Sequence, residues 1–130
     1  MIVLDASAVV EWLLRTPTGS RVAHRILAGE EEAHAPHLLK LEVAQVLRRP
    51  DIVRLMTPSR ALEVVEDLLN LRVVHYPHEP FLRRVWELRH NLTAYDAAYV
   101  ALAESLDAPL LTCDTRLAAS PGHSARIELV

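Results

Sequence analysis

The chain of 130 residues has one cysteine, Cys113, and one lysine, Lys40, and aromatic residues make up only 5% of it. A lone thiol excludes a framework of internal disulfides and fits a reducing compartment, so a cytoplasmic location is expected. No apolar run approaches the roughly 20 residues needed to span a bilayer, and no membrane association is expected. No secretory leader is legible either, because no basic segment precedes the apolar start and Asp5 interrupts it. Linkers, repeats and low-complexity tracts are absent, and the length suits one domain, residues 1–130, with its own core. There is no overall basic field to draw in nucleic acid, since the formal net charge is −3. The fourteen basic residues are all arginine apart from Lys40. Arginine forks match phosphate and carboxylate bidentately, but a compositional bias would give the same skew, so charge alone neither supports nor excludes an RNA substrate.

What the chain does have is alternation. Residues 1–4 are apolar without a period of two, the mark of a strand buried on both faces. Asp5 ends that run, and Ser7 opens a helical pattern in which Val9, Val10, Leu13 and Leu14 share a stripe. A turn at 16–19 and a helix at 20–28 follow, with Gly29 as the C-cap and the acidic triplet 30–32 as a solvated loop. Further strands are expected at 33–36, 72–76, 109–112 and 125–130. Helices are expected at 38–49, from 57 or 58 to about 70, at 80–90 and at 93–106, with a helical turn at 114–119. Leu62, Val65, Leu68 and Leu69 form an apolar stripe assigned to the core. This alternation predicts an α/β fold with a parallel sheet of five strands covered by helices.

Four carboxylates occupy places that polar residues ordinarily avoid. Asp5 is placed at the carboxyl edge of a central strand, where open α/β sheets carry their ligand crevices. Glu42 falls inside the apolar arc of its helix, between Leu38 and Val46, and a carboxylate aimed there is costly unless paired or bound to a cation. Asp96 lies on a helix apolar nearly all round. Asp114 repeats the setting of Asp5: an apolar run, an aspartate, then a helix start. Ser7 and Thr112 add a hydroxyl near each strand end. Helix capping alone would account for any one of the aspartates. Together the four could converge on one pocket, where they would repel one another and raise one another's pKa without a cation. Oxygen ligands without histidine or cysteine favour Mg²⁺ or Mn²⁺, ions that clamp phosphates and activate water for in-line displacement. That chemistry points to a phosphodiester or phosphoryl substrate.

The segments MIVLDASAVVEWLL, APHLLKLEVAQVLRR, LTAYDAAYVALAE and LLTCDTRLA together resemble the PIN-domain ribonucleases, specifically the VapC-type toxins of bacterial toxin–antitoxin systems. The resemblance covers essentially the whole chain, in the family's order and spacing. It implies a three-layer α/β/α domain around a five-stranded parallel sheet. It also implies an endoribonuclease using Mg²⁺ or Mn²⁺, which leaves a 5′-phosphate and a 3′-hydroxyl and so inhibits translation or growth. A VapB-like antitoxin that blocks the site and a homodimer are implied as partners. The catalytic and metal-binding residues implied are Asp5, Glu42, Asp96 and Asp114, with Ser7 and Thr112 supporting the metal or its waters. Lys40 and Arg116 depart from many relatives, the second making a fifth acidic ligand doubtful.

RNA entering an acidic pocket needs flanking cations, and Arg15, Arg48, Arg49 and Arg89 are the candidates, with Arg83, Arg84 and Lys40 behind them. Tyr95 and Tyr99 are read as core residues of the buried helix, with Trp86 packed against it. His34/His37 and His75/His78 are spaced by three in strand and loop, and no zinc site is expected. Cys113 is read as packed rather than nucleophilic. Two rivals remain. A receiver or dehalogenase-like phosphatase is disfavoured, because Ser7 stands where the second aspartate of the dehalogenase pattern belongs and no late lysine exists. The other is a catalytically silent binding module whose acidic pocket takes up a partner protein.

Overall fold

The computed structural model describes residues 1–130. Strand β1 (Ile2–Leu4) lies at the centre of a five-stranded sheet of order β3-β2-β1-β4-β5. The other strands are β2 (Ala33–Pro36), β3 (Val74–Tyr76), β4 (Leu110–Thr112) and β5 (Ile127–Leu129), and every neighbouring pair is parallel. Ile2, Val3 and Leu4 are completely buried, as expected of a strand covered on both faces. The chain lays β1, β2 and β3 outward in one direction, then returns to place β4 and β5 on the other flank of β1. That reversal lies between β1 and β4, where Leu4 pairs with Leu111, and it opens a crevice at the carboxyl ends of these two strands.

The helices are α1 (Ala6–Leu13), α2 (Pro17–Ala28), α3 (Leu39–Leu47), α4 (Pro50–Val53), α5 (Pro58–Asn70), α6 (Leu82–Glu87), α7 (Ala94–Leu106) and α8 (Thr115–Ala118). Helix α1 packs on α2, α3 and α5, whereas α6 packs on α7, and α7 on β1, β2 and β4. The first group bridges strands that progress one way, and α6 and α7 bridge the return. Right-handed connections set the two groups on opposite faces. The result is the expected three-layer α/β/α arrangement around one contiguous apolar core. No helix is long and apolar enough to cross a membrane.

Several local expectations need correction. Helix α2 begins at Pro17 rather than at residue 20, because Thr16 is its N-cap: the Thr16 hydroxyl oxygen accepts the Gly19 N–H at 2.9 Å and Pro17 fills the first helical position. Gly29 is the C-cap of that helix, as expected, in a right-handed conformation, and the left-handed residue that follows is Glu30, φ +47°. Glu31 is not a solvated loop residue, since it pairs with Arg25 and with the N-terminal ammonium. The edge strands β3 and β5 are shorter than the expected 72–76 and 125–130, starting at Val74 and Ile127. The segment expected as one helix at 80–90 is a 3₁₀ turn (Glu79–Phe81) followed by the short α6. On it Leu88 takes the inward position, leaving Trp86 68% exposed with the Arg89 guanidinium 4.6 Å from its ring centre. Tyr95 is also exposed, while Tyr99 is fully buried. On α5 the inward seam is Val64 and Leu68, and Leu62, Val65 and Leu69 face outward.

Two stability predictions follow from these helix ends. At Gly19, α2 approaches α1 so closely that an added Cβ would lie 1.9 Å from the Glu11 carbonyl oxygen. Gly19→Ala is expected to cost about 3 kcal/mol or more, read as a lowered urea midpoint. Glu30→Gly removes a left-handed penalty of roughly 1–2 kcal/mol, partly offset by glycine's greater unfolded entropy of about 0.5–1 kcal/mol. It is expected to raise the same midpoint slightly, and a lowered one would refute the reading of strain at Glu30.

Candidate active site

Asp5 leaves the end of β1 in an extended conformation and caps α1. Its Oδ2 accepts three donors: the Ser7 N–H at 3.2 Å, the Ser7 hydroxyl, and the Thr112 hydroxyl at 2.9 Å. The two hydroxyls are themselves fixed by backbone. Ser7 Oγ accepts the Cys113 N–H at 2.9 Å, and Thr112 Oγ1 accepts the Asp114 N–H at 3.0 Å. Each hydroxyl proton is therefore committed to Asp5, and the 3.2 Å separation of Ser7 Oγ from Thr112 Oγ1 is a contact between two acceptors. This network joins the ends of β1 and β4. Asp5 is only 6% exposed, yet its Oδ1 accepts no hydrogen bond from the protein.

Asp114 repeats the pattern at the end of β4. It caps α8 through Oδ1, which accepts the Arg116 N–H at 2.8 Å and the Leu117 N–H at 3.4 Å. Glu42 comes from the first turn of α3, which starts just beyond β2 on the same sheet edge. The buried Tyr99 hydroxyl donates to its Oε2 at 2.5 Å. Asp96 comes from the first turn of α7, where the Thr93 hydroxyl oxygen accepts the Asp96 N–H at 3.1 Å. Asp5, Glu42 and Asp114 thus share one arrangement: one oxygen is anchored by the protein, and the other has no protein hydrogen bond.

Glu42 lies in the field of Asp5 and Asp96, and Asp96 in that of Asp5 and Asp114. Burial pushes Glu42 above the usual carboxylate range, and Asp5 and Asp96 push it further, against the Tyr99 hydrogen bond. Burial likewise raises Asp96, with Asp5 and Asp114 adding to the effect and Thr93 and Arg116 opposing it. Burial, with Glu42 beside it, holds the Tyr99 phenol far above its ordinary value, so it stays protonated and donates. The only cation beside the cluster is Arg116, 3.9 Å from Asp114 and 90% exposed. No three histidine, cysteine, aspartate or glutamate side chains are placed to hold a metal ion between them; Glu42, Asp5 and Asp114 follow one another past the carboxyl ends of β2, β1 and β4 as an acidic arc, with Asp96 beside them.

Of the arginines singled out from the sequence, Arg15, Arg48 and Arg49 lie elsewhere. Asp5 caps one end of α1 and Arg15 lies beyond the other, so about 12 Å of helix stands between them, and Arg15 faces Asp67 of α5 at 3.8 Å. Arg48 and Arg49 follow the far end of α3, bonded to Gln45 and Asp51. Arg89 stacks on Trp86, and Arg84 is bound to Glu104 and Glu87. Two residues named in the sequence reading take parts beside the carboxylates that it did not assign them. Tyr99 follows Asp96 by three positions on one helix face, but its partner Glu42 is 57 residues away. Arg116, two residues beyond Asp114, was legible as a nearby cation. His37 packs against His75 and His78, ring centres 6.4 and 6.0 Å apart, at the carboxyl ends of β2 and β3. Cys113 is half-buried and burial pushes its thiol up.

Residues 2–122 match the family model described as PIN domain. The chain is 48% identical over 130 residues to Ribonuclease VapC12 of Mycobacterium tuberculosis, covering 100% of this chain and 99% of that one. It is 45% identical over 129 residues to Ribonuclease VapC1 of the same organism, covering 98% and 96%. Among solved structures it resembles Mycobacterium tuberculosis VapC20, described as a Sarcin-Ricin loop cleaving toxin, with a TM-score of 0.65, 16% identity and coverage of 92% and 94%.

Removing one charge from the cluster tests its electrostatics. Glu42→Gln keeps an acceptor for Tyr99 and deletes a carboxylate that the fold holds more protonated than the unfolded chain does. In EDTA at pH 7.5 the variant is expected to melt above wild type. A carboxyl whose folded pKa is raised stabilises fully below its unfolded value and loses that contribution as pH rises through the folded one. The gap between variant and wild type should therefore narrow as pH falls toward 4. A gap independent of pH would contradict the coupling.

Proposed function

Because the chain belongs to the PIN-domain family, and within it to the VapC ribonucleases, we propose that Asp5, Glu42, Asp96 and Asp114 form the catalytic centre of a Mg²⁺-dependent endoribonuclease. The observation that carries this reading is the half-anchored carboxylate: Asp5, Glu42 and Asp114 are each fixed through one oxygen, leaving the other without a protein donor. The donor set is oxygen throughout, with no imidazole or thiolate in the arc, which fits a hard divalent cation such as Mg²⁺, with Mn²⁺ as a substitute. The raised proton affinity of Glu42 and Asp96 supports the same fit, since both carry a charge that the protein itself does not neutralise. Such a cation, when bound, offsets the mutual repulsion, draws in the scissile phosphate and acidifies the attacking water.

The side chains have distinct tasks. Ser7 and Thr112 hold Asp5 in one rotamer, so its free oxygen keeps a constant position. Tyr99 does the same for Glu42 from the opposite helical layer. Glu42, whose second oxygen has no protein donor, and Asp96 beside it are the carboxylates that take a proton from the attacking water in this reading. Arg116 offers the nearest positive charge for the RNA backbone. The whole chain acts as one PIN domain in the cytoplasm, cuts RNA to inhibit translation or growth, and is blocked by a VapB-like antitoxin. It forms a homodimer, for which the outward face of α5, with Leu62, Val65 and Leu69, supplies apolar surface.

Asp5→Asn keeps the size of the side chain and removes the charge. It is expected to lower Mg²⁺-dependent cleavage of RNA by roughly a hundredfold or more. It should also blunt the rise in melting temperature that Mg²⁺ gives the wild type by binding the folded state. Full cleavage by the variant, or by wild type in excess EDTA, sinks the metal mechanism. Failure of the wild type to cut any RNA returns the chain to the silent binding module.

A further inference from the structure

A small apolar pocket lies beside the carboxylates and has no task in the reading above. It holds about 200 Å³ and is walled by Leu38, Leu82, Val85, Ala98, His78 and Tyr95. Two helices connect it to the acidic arc. On α3, the Leu38 carbonyl accepts the Glu42 N–H at 3.0 Å, so Leu38 lies one turn before Glu42. On α7, Tyr95 adjoins Asp96 and stands one turn before Tyr99, whose hydroxyl holds Glu42. One turn is about 5.4 Å, and the pocket is therefore the immediate neighbour of Glu42 and Asp96.

Two of its walls lack partners. Tyr95 is 65% exposed, whereas residues 97–103 of the same helix are all buried. An aromatic ring in water beside an apolar pocket offers a free stacking face. The His78 imidazole is part of the wall and makes no hydrogen bond with the protein. The pocket has no charged wall, so it is not built for a phosphate. A planar heteroaromatic group with hydrogen-bonding edges meets all three features: the apolar walls, the stacking face and an imidazole in the wall that makes no hydrogen bond within the protein.

We propose that this pocket receives an unpaired nucleobase of the RNA substrate, next to the phosphate over the carboxylates, with Tyr95 as its stacking surface and His78 as its hydrogen-bonding group. The proposal rests on the ribonuclease reading and adds a specificity subsite to it. Sequence-specific RNA recognition relies on splayed-out single-stranded bases stacked on aromatic side chains. The two residues are thus the determinants of which base flanks the cut.

The test uses full-length protein and a fluorescent single-stranded RNA oligonucleotide, with affinity read by anisotropy in EDTA and cleavage read in Mg²⁺. Tyr95→Ala should weaken binding by about five- to a hundredfold, the range of one base–aromatic stack. It should raise KM more than it lowers kcat, and relax the base preference beside the cut. Tyr95→Phe, which keeps the stack, should behave as wild type. His78→Phe keeps the ring and should change the base preference. An RNA carrying an abasic nucleotide beside the cut should bind wild type more weakly and bind Tyr95→Ala no differently from intact RNA. Unchanged affinity and preference in both Tyr95→Ala and His78→Phe overturn the proposal and leave the pocket to an apolar side chain of a protein partner. Tyr95-dependent RNA binding by a wild type that cuts nothing removes the ribonuclease reading while the subsite stands. No RNA binding by wild type removes both.

Discussion

The structure depends on how one buried carboxylate is held. Asp5 ends the central strand, and an ionised group there is costly unless its hydrogen bonds are met within the fold. Its Oδ2 receives them from Ser7, at the start of α1, and from Thr112, at the end of β4. Thr112 is available only because the chain returns from β3 to lay β4 against β1. Strand order, helix cap and site are therefore one arrangement. Each strand beside the crevice is only three or four residues long, so the polar network at their ends contributes to setting where β1 and β4 finish.

The acidic arc costs stability, and other contacts offset it at a distance. Glu42 and Asp96 carry the cost as raised proton affinity. Arginine contributes much of the compensation. Arg84 forks onto both oxygens of Glu104, at 2.7 and 2.9 Å, and Glu104 also accepts the Ser124 N–H. That set joins α6, α7 and the segment leading into β5, and it holds Glu104 down at about 2. Arg25 forks onto Glu128 and also binds Glu31, tying α2 to the edge strand β5 and to the turn before β2. Isolated surface pairs contribute little, but bidentate forks that join separate elements also restrict geometry. The arginine bias of the chain is thus absorbed partly by the fold, which is why so few of its arginines stand near the crevice.

The sheet was legible in the sequence because parallel strands buried on both faces read as short apolar runs, and two such runs, β1 and β4, lead to a conspicuous aspartate. The carboxylates were legible for a related reason: Glu42 interrupts an apolar arc, and Asp5 and Asp114 punctuate strands. Periodicity describes one element at a time, so it could not reveal what joins two. The Tyr99 hydroxyl on Glu42 links α7 to α3 across 57 residues. Thr16 was read as part of a turn because Thr-Pro-Thr-Gly carries turn residues, yet the same residues make an N-cap and first helical turn. Trp86 and Tyr95 were assigned inward because large aromatics usually bury area. Their exposure follows from neighbours that already fill the inward positions, Leu88 on one side and the alanine-rich face of α7 on the other.

Helix α7 shows how burial and function share one segment. It is apolar nearly all round, which lets it pack on β1, β2 and β4 on the return side of the sheet. Small residues such as Ala97, Ala98 and Ala101 let it lie close to the strands beyond its first turn. That first turn is then free to carry polar and aromatic groups outward: Thr93 as cap, Asp96 toward the other carboxylates, and Tyr95 along the adjoining pocket. One turn further in, Tyr99 is completely buried and fixes Glu42. Because the helix cannot shift without disturbing the sheet beneath it, the spacing between Asp96, Glu42 and the Tyr95 ring is set by core packing. The apolar character of α7 is therefore what makes its polar first turn rigid, and the acidic arc and the pocket beside it keep one geometry because they share that helix.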